Sequence, residues 1–294
     1  MSSVLPIQIQ DDGFLLDKKE AESIGQGLNQ TYNSAHPFPH IALDNFLPEH
    51  LVSEILNNFP YESVESEVNF EMGYAGQHKR QIPPIHCNAF NRNLFAFFNS
   101  EPILKFLEAL TGIEKLIPDP YFAGGGYHET TKGGLLGIHA DFRINKELNL
   151  NRRINMIIYL NENWEEQWGG ALELWDKSME SAQRKVLPIL NRCVIFNTDQ
   201  DSFHGHPDPL TCPDNMSRKS IALYYYTASE NVFLETPAHD TMYKARPTDS
   251  GRTKYDAFMS SLGNYVSDWL PPILARQYFK IRYFLYRKFN QSKP

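Results

Sequence analysis

Three residues carry the strongest chemical signal in the chain. His139 and Asp141 stand two positions apart in GIHADFR, and His204 lies in FNTDQDSFHGHP. On a strand, side chains two apart point to the same face, so His139 and Asp141 can grip one ion. A distant histidine completes a two-His-one-carboxylate set, which leaves three coordination positions open and suits Fe(II) oxygenases. The open positions can receive a keto acid and O2. His206 offers a second imidazole in the same segment. Taken alone, an H-x-D is common by chance and is better explained by ordinary hydrogen-bonded histidines at strand ends.

Three further features weigh against that bland reading. Arg218 and Ser220 alternate in phase at the start of the apolar run SRKSIALYYYT. An arginine pointing into a barrel needs an anion, since an unpaired buried charge is costly, and its planar fork suits a bidentate carboxylate. That anion is either an acidic residue of the chain or the distal carboxylate of 2-oxoglutarate. Tyr159 ends the apolar strand RINMIIY, where its hydroxyl can reach the same carboxylate or a backbone partner. Finally, the set comes in the order H-x-D, Tyr159, WGG, His204, Arg218, with room for several strands between the two halves of the metal set.

The elements that must position these residues read as short strands. Runs at Tyr121–Ala123, Leu135–His139, Arg153–Leu160, Ala171–Trp175, Lys185–Leu190, Cys193–Asn197 and Ser220–Thr227 are separated by GGG, GG, NEN and WGG turn signals. That texture predicts a mainly β fold with flanking helices, with a jelly roll at about 115–230 rather than βαβ units. Residues 1–36 read as an irregular start and 64–100 as loop-rich. Pro102–Leu110 reads as a helix, and 231–294 as a helical extension packed on a 37–230 domain.

With these pieces in hand, the stretch from about 119 to 227 resembles the prolyl-4-hydroxylase-like branch of the Fe(II)/2-oxoglutarate dioxygenase superfamily. The matching segments are HAD at 139–141, IIYLNENW at 157–164, WGGALELW at 168–175, FNTDQDSFHG at 197–205 and RKSIALYYY at 218–226. The opening PFPHIALDNFLP is similar to that branch's entry segment. The resemblance implies a double-stranded β-helix. It implies His139, Asp141 and His204 as iron ligands, Arg218 as the residue on the keto acid's distal carboxylate, and Tyr159 and Ser220 beside it. Tyr127 falls where some relatives have a pocket tyrosine. The implied reaction hydroxylates an unactivated C–H bond with Fe(II), 2-oxoglutarate and O2, releases succinate and CO2, and takes ascorbate as a stimulant. The substrate is left open between a peptidyl group and a small molecule. A non-catalytic jelly roll that binds a ligand or partner is the competing class.

Composition sets the outer bounds. Of the 294 residues, 41% are hydrophobic and 21% charged, enough to bury one sizeable core. A net charge of −7 argues against a nucleic-acid partner, which needs clustered cations. Three widely spaced cysteines, with no leader-like N-terminus, fit free thiols in a cytoplasmic protein. No run is long enough for an integral membrane span. Segment 64–92 concentrates His78, Lys79, Arg80 and His86, readable as a solvated loop or as a face toward an anionic substrate. The basic, aromatic 271–294 tail reads as an amphipathic helix that docks on the core or in a homodimer, with peripheral membrane contact as the alternative.

Overall fold

The computed structural model describes residues 2–228 apart from 12 and 146, residues 240–269, and Leu274 and Gln277. A small antiparallel pair, β1 (Gln8–Gln10) and β2 (Gly13–Leu15), opens the chain. Helix α1 (Lys18–Asn33) follows, so the expectation of an irregular 1–36 does not hold. The Asp17 carboxylate caps α1 by accepting from the Glu20 amide at 2.9 Å. The helix is largely polar, with only Ala21, Gly25 and Tyr32 fully buried along it, which hid it from a hydrophobic-periodicity reading.

Strand β3 (His40–Leu43) and helix α2 (Glu49–Asn57) lead into a second departure from expectation. Residues 64–100 are not loop-rich: they hold the hairpin β4 (Val68–Phe70) and β5 (Gln77–Ile82), then α3 (Ala89–Phe98), capped by Asn88. Strand β5 reads QHKRQI, with no apolar alternation, because one of its faces looks into a polar cavity. Helix α4 (Glu101–Thr111) ends at Gly112 in the left-handed region, close to the predicted boundaries.

The remaining strands are β6 (Ile117–Pro118), β7 (Gly126–Ala140), β8 (Ile144–Asn145), β9 (Leu150–Tyr159) and β10 (Leu172–Trp175). After them come β11 (Ala182–Val186), β12 (Cys193–Asn197), β13 (Phe203–His206), β14 (Ser217–Thr227) and β15 (Met242–Tyr243). They form a nearly closed antiparallel barrel in the order β11-β10-β13-β7-β14-β9-β12-β3, with β5 and β15 also on β7. This is the predicted double-stranded β-helix. The long strand β7 belongs to both of its sheets: residues 126–131 pair with β14, and residues 136–140 with β13 and β15.

Alternation along β9 and β14 separates core from cavity. Ile154, Met156, Ile158, Ile221, Leu223 and Tyr225 join the main apolar core under the helices, against Phe95, Phe98, Phe106 and Leu107. Their neighbours Asn155, Ile157, Ser220, Ala222 and Tyr224 face the barrel interior. The three cysteines are buried free thiols. The last helix, α5 (Gly251–Trp269), starts where a C-terminal helical region was expected. The reading of 271–294 as an amphipathic helix lies outside the described residues. Among the described residues, no helix is long and apolar enough to cross a membrane.

Helices α1 and α4 meet at Gly25, where an added Cβ would stand 2.3 Å from the Phe106 carbonyl oxygen. Alanine is the better helix former by about 1 kcal/mol, but the clash is with backbone and has no flexible side chain to absorb it. Gly25→Ala is therefore expected to destabilise the fold by about 1–3 kcal/mol, read as a lower denaturation midpoint in urea. An unchanged or raised midpoint contradicts this packing.

Candidate metal and keto-acid site

The pairing of β13 with β7 sets His204 directly opposite His139. Asp141 follows one residue after β7 ends. Gly205 makes the close approach possible: a Cβ there would lie 2.6 Å from the Gly137 carbonyl oxygen. The Asp141 carboxylate then stands 3.6 Å from His139 Nε2 and 3.4 Å from His204 Nε2. Each imidazole Nδ1 lies 2.9 Å from a backbone carbonyl, Gly137 for His139 and Ser202 for His204. Those carbonyls can only accept, so each ring carries its proton on Nδ1 and turns the Nε2 lone pair inward. Three donor atoms within 4.8 Å of one another, two imidazole and one carboxylate, are a fit set for Fe(II).

The carboxylate is held by a pair of residues absent from the sequence-based set. Asn155 Nδ2 donates to Asp141 Oδ2 at 2.8 Å, and Arg152 Nη2 lies 3.1 Å from the same oxygen. Arg152 Nε and Nη2 also donate to Asn155 Oδ1, at 3.1 and 2.8 Å. Its guanidinium is packed 3.5 Å from the Tyr224 ring centre and 4.7 Å from that of Phe142. Arg152 and Asn155 are three apart, so regular alternation would put them on opposite faces. A bulge between the Tyr225–Ile154 and Tyr226–Arg152 pairs turns both inward. Burial opposes ionisation of Asp141, but Arg152 and the two histidines hold its pKa well below the usual range. Burial and the neighbouring His139 push His204 down to about 4, against the pull of Asp141, so it is a neutral imidazole at pH 7.

At the far end of the cavity, Arg218 is buried with no carboxylate of the chain in ion-pair reach among the described residues. Its Nε donates to the Gly170 carbonyl at 2.7 Å, which explains the WGG motif's place beside it. Its Nη2 donates to the Tyr159 hydroxyl at 3.2 Å. The free edge of the fork faces a cavity that Ser220, His128 and His206 also line. Among the described residues, buried His206 Nδ1 has no hydrogen-bond partner. Burial, Arg218 and Lys79 hold this ring neutral. A buried arginine with no anionic partner among the described residues, in the same cavity as the three donors, fits a dianionic keto acid.

The structure brings His139, Asp141, His204, Arg218 and Ser220 into one cavity and sets Tyr159 behind Arg218. Tyr127 is a correction. On β7 it is out of phase with His128, so it points into the main core against Phe59 and Phe95 and donates to Asn91 Oδ1 at 2.7 Å. Asn155 could have been found from its polar place between Ile154 and Met156. Arg152 could not, because nothing local marks the bulge.

The comparisons with known proteins agree with this geometry. Residues 125–226 match the family described as the 2OG-Fe(II) oxygenase superfamily. Prolyl 3-hydroxylase OGFOD1 of Mus musculus is 26% identical over 202 residues, covering 66% of this chain and 33% of that protein. The match thus spans about a third of the length of this curated relative. A solved structure of prolyl 4-hydroxylases from Phytophthora capsici aligns with a TM-score of 0.52, at 16% identity and 88% coverage of both chains. A prolyl hydroxylase from Trichoplax adhaerens, in complex with a hypoxia inducible factor peptide fragment, aligns with a TM-score of 0.48. That alignment has 19% identity and covers 71% of this chain and 91% of the other. Residues 125–226 are a 2OG-Fe(II) oxygenase superfamily domain. The curated and solved proteins it is similar to include prolyl hydroxylases.

Two expectations follow. Tyr127→Phe strips Asn91 of its donor and is expected to cost about 1–2 kcal/mol of stability. It should leave the affinity of the protein for Mn(II) and 2-oxoglutarate unchanged by calorimetry; a weakened affinity would return Tyr127 to the site. The second concerns pH. An unfolded His204 titrates near 6.5 and the folded one near 4, so the unfolded chain takes up the proton first. The associated stability is full above pH 6.5 and is lost as pH falls toward 4, by about 3 kcal/mol in the metal-free protein. His204→Gln should flatten the denaturation midpoint over that range, and an equally steep profile in the variant refutes the assignment.

Proposed function

We propose that the protein is an Fe(II)- and 2-oxoglutarate-dependent hydroxylase in which His139, Asp141 and His204 are the metal ligands. Arg218 seats the distal carboxylate of the keto acid, with Tyr159 fixing the guanidinium and Ser220 beside it. The observation that carries this reading is Arg218, a buried cation with no anionic partner among the described residues, in the same cavity as three converging donors. A guanidinium fork and a carboxylate match in plane and spacing.

The bound iron and keto acid supply the oxidising chemistry: 2-oxoglutarate, O2 and a C–H bond become succinate, CO2 and an alcohol. The chain's own groups do the rest. The backbone carbonyls of Gly137 and Ser202 keep both Nδ1 atoms protonated and both Nε2 atoms available. Arg152 and Asn155 keep Asp141 ionised and fixed in orientation. Apolar residues Leu136, Ile157, Leu172 and Ala222 wall the cavity and limit water around a reactive centre. The prolyl hydroxylases among the similar proteins make a prolyl group, peptidyl or free, the first substrate class to test.

Alanine in place of His139, Asp141 or His204 is expected to abolish succinate formation from 2-oxoglutarate, with the fold retained by circular dichroism. His206→Ala should be milder. Arg218→Ala should raise the KM for 2-oxoglutarate by about two orders of magnitude, the loss of a charge-assisted bidentate contact of about 2–4 kcal/mol, and Arg218→Lys should restore only part of it. An unchanged KM in Arg218→Ala would overturn the placement of the keto acid.

A further inference from the structure

The cavity holds more positive charge than this chemistry uses. Arg152 is paired with Asp141, and Arg218 is taken up by the keto acid in the proposed function, on which this inference rests. Lys79 remains. The alternation of β5 sorts its basic residues: His78 is exposed beside Glu71, Arg80 pairs with Glu67 at 3.0 Å and Glu129 at 2.6 Å, and Lys79 turns into the cavity. Among the described residues no carboxylate lies within ion-pair distance of the Lys79 ammonium; its described contact is the Phe70 ring, 4.6 Å from Nζ to the ring centre. Burial and the nearby Arg218 pull its pKa down to about 8, partly offset by Asp141. A cation so placed carries a desolvation cost that an arriving anion relieves.

Lys79 and Arg218 flank Thr130 from opposite sides, Lys79 on β5 and Arg218 on β14. Their Cα atoms are thus about 10 Å apart, two strand spacings. Their head groups are held by different partners. Arg218 is drawn toward Tyr159 on β9 and Gly170, and Lys79 is drawn the other way, toward Phe70 on β4. One carboxylate cannot sit on both without breaking one of these arrangements. We propose that Lys79 marks a second anion subsite on the β4–β5 side of the cavity, and that the substrate carries a carboxylate or phosphate that docks there while its reacting C–H bond faces His139, Asp141 and His204.

The test uses the full chain loaded with Mn(II) and saturating 2-oxoglutarate. Inorganic phosphate and acetate are titrated in separately, and paramagnetic relaxation of the phosphate 31P and the acetate carboxylate 13C reports an anion held near the metal. The wild type should relax at least one of them strongly, and which one names the anion. Lys79→Met should remove the enhancement and Lys79→Arg, which keeps the charge, should retain it, while the Kd for 2-oxoglutarate stays within about twofold in both. Three results overturn the proposal: relaxation of neither anion by the wild type, an enhancement that survives Lys79→Met, or a loss of about tenfold or more in 2-oxoglutarate affinity in that variant, which would give Lys79 to the keto acid. Failure of the wild type to bind 2-oxoglutarate at all is a separate outcome, and it removes the proposed function together with this subsite.

Discussion

A carboxylate buried in a barrel stays ionised only if the barrel supplies its counter-charge, and this requirement organises the site around Asp141. Desolvation alone would drive the proton back on and leave a poor metal ligand. Arg152 and Asn155 meet on Asp141 Oδ2, which also lies 3.4 Å from His204 Nε2, while Oδ1 looks toward His139. Arg152 is itself fully buried, so it needs Asp141 as much as Asp141 needs it. Its guanidinium is fixed by Asn155 and the rings of Tyr224 and Phe142, so the carboxylate is oriented before any metal arrives. The bulge in β9 that turns Arg152 inward is therefore a functional distortion of the sheet.

The second constraint is length. One strand, β7, runs through both sheets, carrying His139 near its end and lying beside Arg218 near its start. A metal and the far carboxylate of a five-carbon diacid must sit at a set separation, and a single continuous strand holds that separation more firmly than two elements joined by a loop. Alternation then assigns the faces: His128 lines the cavity, whereas Glu129 turns to the opposite face, to Arg80 and Ser217. The expectation for Tyr127 came from the resemblance, and alternation overrules it: Tyr127 is one residue out of phase with His128 and points into the core.

How much of this was legible in the sequence depends on how local each determinant is. The triad, Arg218 and the jelly roll could be read because strand alternation and turn glycines act over two to four residues. Strand β12 and helix α4 fell close to their predicted limits for the same reason. Helix α1 was missed because most of its surface is polar and its packing relies on a glycine contact with α4 rather than on a wide apolar stripe. Strand β5 was missed because it faces a polar cavity, so the alternation that marks an apolar core is absent. Arg152 and the direction of Lys79 depend on a bulge and on a partner strand distant in sequence, and no local pattern encodes either.

The residues that line the cavity come from different parts of the chain. His139, Asp141, Arg152, His204 and Arg218 all fall within the 125–226 stretch that matches the oxygenase family. Lys79 and Phe70, from the β4–β5 hairpin, lie outside it and still line the same cavity. Residues that must hold a metal and a keto acid are constrained by those invariant partners, and rigid strands suit them. Residues that meet the substrate answer to a partner that changes from one oxygenase to another, and a hairpin laid against the edge of the barrel can change without disturbing the metal geometry. Among the described residues the Lys79 ammonium on that hairpin has no carboxylate in ion-pair reach, and this is the feature of the cavity that the proposed metal and keto-acid roles leave unused.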